Sequence, residues 1–235
     1  ERLLPLENKL LDEFENRIDP NETSAPFIFN GETYQIKNKK GEDYSYIYLI
    51  NGKSETLFFD ENKRAKKKSF YDLGDWVPSP NNSLLAISED VVGRRKYTIQ
   101  FRDNKTGRYL NDKIVDTDGS MVWANDNKTV FYIRKDPTTL REYQVWRHTI
   151  GQASITDKLV YEEKDEKFYV YINKAMTKQY VQIGSYSSLT SELWIIDANS
   201  PKSEAQLFLK RETGHIYSID YHENGFYITS NKDAK

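Results

Sequence analysis

An all-β chain made of β-propeller blades and preceded by one amphipathic helix is the architecture this sequence predicts, on three observations. First, a turn signal returns at a near-constant interval. Its second residue is Gly31, Asn82, Asn127, Lys178 and then Gly225 (after Asn224), at separations of 51, 45, 51 and 47 residues. Second, each turn is followed by a short apolar or aromatic run (33–36, 84–87, 129–133, 180–183, 226–229), and in the first four repeats another begins 13 to 17 residues past the turn (44–49, 96–101, 144–148, 193–196). Third, 17 Tyr, 11 Phe and 4 Trp suit strands with half-buried pleated surfaces. Periods of this size with several strands per repeat are those of propeller blades. Each blade is a small antiparallel sheet that cannot bury both faces alone and must stack on neighbours.

Residues 1–20 stand apart from the repeats. Leu3, Leu4, Leu10, Leu11 and Phe14 recur at helical spacing with charged residues between them, which predicts an amphipathic helix over 1–17. Asp19-Pro20 ends it, because proline cannot continue a helix and disfavours helical geometry in the residue before it. Residues 21–235 then form the partial propeller, with blades near 26–60, 76–115, 120–163, 168–210 and 216–235. That is about four and a half four-stranded blades, expected as an arc rather than a closed ring. Two unrelated β-sandwiches are the alternative, but sandwiches would not repeat a turn so evenly. The basic run 63–68 has no interleaved aromatics and reads as a solvated connection between the first two blades.

Composition narrows the function. Thirty-four basic against 36 acidic residues leave a net charge of −2, which makes no case for a nucleic-acid or anionic-membrane partner. No apolar run approaches the ~18 residues of a membrane span. The absence of cysteine removes disulfides and thiolate chemistry and suits a reducing, cytoplasmic setting. The chain begins at Glu1 rather than Met, so it is expected to be a piece of a longer protein, on whose missing part a signal peptide would not be seen.

No catalytic constellation stands out. Gly184-Ser185-Tyr186-Ser187 lacks the second glycine of a nucleophile elbow. His148, His215 and His222 are too few and too scattered for a metal site, and His148, at the end of a strand, reads as structural. Asp116-Thr117-Asp118-Gly119 resembles part of a calcium loop without its downstream Glu and reads as a plain turn. There is no phosphate-cradling glycine loop, so neither cofactor nor metal is expected.

Several segments, in order along the whole chain, resemble the oligopeptidase B (protease II) branch of the prolyl oligopeptidase family. They are Ser24-Ala25-Pro26 with Asn30-Gly31, Asn62-Lys63-Arg64-Ala65 with Phe70-Tyr71, Ser88-Glu89-Asp90 with 93–103, 122–127, 139–148, 158–163, Thr190-Ser191-Glu192 and 226–231. The resemblance implies a serine peptidase that joins a seven-bladed propeller to an α/β-hydrolase domain and cuts short peptides after Arg or Lys. The triad would lie beyond Lys235, and no catalytic position falls on this chain. It also implies that the propeller limits substrate size and access, and that the 1–17 helix packs on the absent hydrolase domain.

On this reading the partners are a peptide substrate and that hydrolase domain. The connection holding Glu89, Asp90, Arg94 and Arg95 supplies inter-domain contact candidates. An arginine fork from Arg94 or Arg95 could hold a hydrolase-domain carboxylate, with Glu89 and Asp90 holding the arginine when the domains part. A local surface ion pair worth little energetically is the plainer reading. Two other functions stay open: a stand-alone propeller interaction module, and a scaffold of the same family that has lost its triad. An open arc would also leave Phe27, Phe29, Tyr34 and Tyr48 at one end and Tyr217, Ile219, Phe226 and Ile228 at the other without a neighbouring blade. Wetting several hundred Å² of apolar surface costs on the order of 5–10 kcal/mol, so the chain is expected either to self-associate through these ends or to be only marginally stable.

Overall fold

The structure is a computed structural model and describes residues 3–223 and 225–234; Asn224 of the last turn, and the first two residues of the expected helix, lie outside them. Contacts divide the chain into two compact units, Glu1–Lys68 and Ser69–Lys235.

The first unit opens with α1 (Leu4–Glu15), started by Pro5 in its first turn, where a missing N–H costs nothing. None of its residues is buried, and Leu4, Leu6, Leu10, Leu11 and Phe14 are all exposed. A four-stranded meander follows: β1 (Phe27–Phe29), β2 (Glu32–Lys37), β3 (Tyr46–Asn51) and β4 (Ser54–Asp60). Asn30 and Gly31 take φ of 49° and 81°, which closes Phe29 onto Glu32 in a two-residue hairpin whose twist matches the strands. Tyr34, Ile47 and Phe59 form its core. The basic run is not wholly loop: Asp60 accepts from the Lys63 N–H and caps a short helix, α2 (Glu61–Ala65).

The second unit carries the remaining blades. β5 (Asp72–Pro78), β6 (Leu84–Asp90), β7 (Tyr97–Asp103), β8 (Tyr109–Trp123), β9 (Thr129–Lys135), β10 (Glu142–Thr149) and β11 (Lys158–Glu162) pair in sequence as one seven-stranded sheet. β12 (Tyr169–Lys174), β13 (Tyr180–Tyr186), β14 (Ser191–Asp197) and β15 (Gln206–Leu209) form a four-stranded sheet, and β16 (Tyr217–His222) pairs with β17 (Gly225–Ser230). The seven-stranded sheet is two blades fused. The first part of β8 pairs with β7 as the outer strand of one blade, and its last part pairs with β9 as the inner strand of the next. Thr117 pairs with both Tyr97 and Arg134. So 116–119 is a bend within a continuous strand rather than a plain turn. Two left-handed residues make it, Asp116 (φ 56°) and Gly119 (φ 105°). At Gly119 the Tyr97 ring lies 3.1 Å from where a Cβ would stand, so a side chain would be both strained and crowded there.

The periodic turns are near copies of one another. In three of them the first residue's N–H (Ser79, Ala124, Ala175) donates across the turn to Leu84, Thr129 or Tyr180, each at 2.9 Å. The turn residues Asn82, Asn127 and Lys178 take φ of 58°, 58° and 63°. Adjacent turns also touch: the Asn81 N–H donates to Asn127 Oδ1 at 2.8 Å, and Asn125 Nδ2 donates to the Lys178 carbonyl at 3.0 Å.

Stacking between blades follows strand alternation. Along β9, Val130 and Tyr132 join Ala86, Ile99, Phe101 and Trp123, while Phe131 and Ile133 join Val170, Ile172, Val181 and Ile183. A strand buried on both faces reads as a continuous apolar run, as the 129–133 run does. Beyond β15 the pattern thins, with Leu193 meeting Tyr217 and Ile219. Of the residues expected bare at the open ends, Tyr34, Tyr217 and Ile219 are instead buried: Tyr34 packs on Phe27 and Phe58, and Tyr217 and Ile219 on the β12–β15 blade. Phe27, Phe29 and Ile228 are exposed.

Candidate functional site

In the seven-stranded sheet, the β6–β7 connection, the bend of β8 and the β9–β10 connection come together at one edge, because successive strands reverse direction. The four residues singled out above lie on the first of these. Glu89 and Asp90 end β6 and are buried, whereas Arg94 and Arg95 are exposed.

Asp90 organises the loop. Its Oδ1 accepts from the Val92 and Gly93 N–H groups at 2.8 and 3.0 Å, and its Oδ2 from those of Arg94 and Arg95 at 2.8 and 2.7 Å. Burial opposes its ionisation, but these four amides outweigh that and hold the carboxyl below its ordinary value. Both Asp90 oxygens accept backbone N–H groups, and among the described residues no arginine side chain is bonded to them. The physical reason is local, since six residues reverse the chain between β6 and β7, four of them with N–H groups pointing inward, and a carboxylate at the hinge satisfies those four. Among the described residues no ion pair engages either guanidinium.

The two arginines part to opposite sides of this loop. Arg95, at φ 53°, lines a cavity of about 360 Å³ with Asp72, Asp90, Tyr97, Asp118 and Lys135. Arg94 lines a groove of about 520 Å³ floored by Val92, Val115 and Leu140. In the cavity the Tyr97 O–H donates to Asp72 Oδ2 at 2.5 Å, and Lys135 Nζ donates to the Arg95 carbonyl at 2.9 Å. Burial pushes the Asp118 carboxyl up to about 6 against the pull of the Ser120 N–H and O–H. Asp72 and Lys135 were not singled out from sequence, and Asp118 only as part of a plain turn. They are far apart in the chain, and only the bend of β8 brings them together.

None of this is hydrolytic machinery. The Ser185 hydroxyl donates to Glu163 at 2.5 Å between two adjacent blades. His215 Nε2 lies 2.8 Å from Ser230 Oγ on the exposed last hairpin, but no carboxylate hydrogen-bonds the imidazole among the described residues. A nucleophile–base pair without an orienting group or oxyanion donors does not make a hydrolase site. No cluster of three or more His, Cys, Asp or Glu suited to a metal ion occurs among the described residues.

Antiparallel four-stranded blades joined through repeating turns describe a segment of a β-propeller. The family profile of the prolyl oligopeptidase N-terminal beta-propeller domain matches residues 1–235, and the chain belongs to that family. It is 32% identical over 250 residues to dipeptidyl aminopeptidase BI of Pseudoxanthomonas mexicana, covering 99% of this chain and 34% of that protein. It is 29% identical over 248 residues to Protease 2 of Moraxella lacunata, covering 100% and 36%. Among solved structures, oligopeptidase B from Leishmania major superposes with a TM-score of 0.91 at 28% identity, covering 99% of this chain and 34% of that one. The closed form of Trypanosoma brucei oligopeptidase B with covalently bound antipain gives 0.87 at 29%, with the same coverage. The resemblance read from the sequence is thus borne out, and the chain spans about a third of the length of these relatives.

Proposed function

We propose that this chain is the non-catalytic propeller segment of an oligopeptidase B-like serine peptidase that cleaves short peptides after Arg or Lys, the propeller restricting which peptides reach the active site. The observation that carries this reading is the match of the whole chain to the family's propeller domain, together with its likeness to Protease 2 and oligopeptidase B. A propeller over a hydrolase domain excludes water and large substrates while the domains are closed. The exposed apolar face of α1 and the exposed Arg94 would be the hydrolase-domain contacts, Arg94 pairing with a carboxylate there. The exposed Phe27, Phe29 and Ile228 would favour self-association of the chain when it is alone, which light scattering reads directly.

The identity to dipeptidyl aminopeptidase BI favours a second reading, in which the parent enzyme releases dipeptides from a free amino terminus. One experiment separates the readings. The coding sequence after Lys235 should continue into Gly-x-Ser-x-Gly followed by Asp and His, and the encoded enzyme is assayed on Arg or Lys chromogenic peptides with blocked and free amino termini. Turnover of blocked substrates supports the first reading, and turnover of free dipeptidyl substrates alone the second. A stop codon after Lys235, or a replaced serine, would leave an interaction module or a silent scaffold. The 235-residue chain itself should show no turnover, and activity sensitive to a serine-directed reagent would refute that.

A further inference from the structure

His148 is fully buried, and both its ring nitrogens face carboxylates. Nδ1 lies 2.7 Å from Asp157 Oδ1 and Nε2 lies 3.1 Å from Asp112 Oδ1, with those side chains 1% and 7% exposed. A neutral imidazole has one N–H and one lone pair, so it would set a lone pair against a carboxylate in a dry site. Each carboxylate is also held from another direction by a neutral donor. The Tyr132 O–H donates to Asp157 Oδ2 at 2.9 Å, and the Gly151 N–H donates to Asp112 Oδ1. Carboxylates that already accept these bonds are stabilised in their charged form and leave the shared proton to the ring.

The groups belong to different blades. Asp112 lies on the part of β8 that pairs with β7, whereas Tyr132, His148, Gly151 and Asp157 belong to the β8–β11 blade. Phe101 of β7 covers the imidazole face, stacked at 5.8 Å, and is uncharged. The Arg134 guanidinium sits over the Tyr132 ring at 5.8 Å. The groups facing the ring are therefore Asp112 from β8, Asp157 from the turn before β11 and, through Asp157, Tyr132 from β9.

We propose that Asp112, His148 and Asp157 form a proton-dependent clamp between two adjacent blades: the imidazolium ties the two carboxylates together, and loss of its proton releases them. Burial works against the charged ring, but the two carboxylates outweigh it and raise its proton affinity. For a group whose affinity is raised on folding, the stabilisation is complete below the ordinary histidine value of ~6.5 and is lost as pH climbs through the folded value. Release leaves two buried carboxylates sharing a neutral ring, so the blades are joined more weakly in alkaline solution.

The test is an NMR titration of the 235-residue chain from pH 5 to 10, reading both ring nitrogens of His148 and the amide of Gly151. The clamp requires the doubly protonated ring pattern at pH 6.5, a midpoint above ~6.5, and a Gly151 amide that moves with the same midpoint. A neutral tautomer at pH 6.5 overturns it. Asp112→Asn should lower the midpoint, and an unchanged midpoint also overturns the proposal. His148→Gln should remove the part of the melting-temperature loss between pH 6 and 9 that depends on the ring, and an undiminished loss counts against it. Should His148→Gln fail to fold, the titration of the unaltered chain and the Asp112→Asn shift decide the matter.

Discussion

The two seams flanking the β8–β11 blade solve one packing problem with opposite polar devices. Toward the β5–β8 blade, the apolar contact of Phe101, Ile114, Trp123 and Tyr132 is reinforced by a buried cation, His148, between two carboxylates. Toward the β12–β15 blade, the contact of Phe131, Ile133, Val170 and Val181 is reinforced by a carboxylate, Glu163. It accepts from the Tyr161 O–H at 3.0 Å, the Ser185 O–H at 2.5 Å and Arg211 Nη2 at 2.5 Å. Arg211 also holds Glu192 at 2.9 Å and lies 4.0 Å over the Phe168 ring. Burial opposes ionisation of Glu163 and Glu192, but Arg211 outweighs it and holds both below their ordinary value. Groups depressed in this way stabilise above the ordinary carboxylate range and lose that contribution as pH falls through the folded value. One seam therefore weakens toward alkali and the other toward acid, although the apolar cores are alike.

Two substitutions test this contrast and a third serves as its control, in order of expected effect. Phe131→Ala empties a fully buried position of the second seam and should cost about 3–5 kcal/mol by denaturant unfolding. A loss under about 1 kcal/mol would mean that this core does not join the blades. Arg211→Ala leaves Glu163 and Glu192 facing each other without their cation and should cost about 2–3 kcal/mol at pH 7, the partial exposure of Arg211 moderating the effect. The deficit should shrink as pH falls and the carboxyls take up protons, and an equal deficit at pH 4 would sink the assignment. Arg94→Ala belongs to neither seam and should change stability by less than about 0.5 kcal/mol. A larger loss in the isolated chain would show that the side chain serves the loop rather than a partner.

Much of the fold was legible because blade turns need residues that tolerate a left-handed backbone, and such residues were countable. Asn82, Asn127 and Lys178 all have positive φ, and Gly31 closes the first hairpin as expected. The fused sheet was not legible, since Asp116-Thr117-Asp118-Gly119 has the composition of a turn and only its pairing to both β7 and β9 makes it strand. The role of Asp90 was also hidden. Sequence shows a carboxylate next to arginines, but the inward-pointing amides that claim it exist only once the loop is closed.

The sequence by itself determined the repeat, the number of strands in each blade and the family, because these depend on local signals: apolar runs, turn residues and their spacing. Tertiary structure alone decided which charges meet. His148 finds Asp112 and Asp157 at 36 and nine residues' distance, and Arg211 finds Glu163 at 48. Such pairs leave no periodic trace. They form where stacking blades exclude water and an ion must find its counter-ion or remain unpaired.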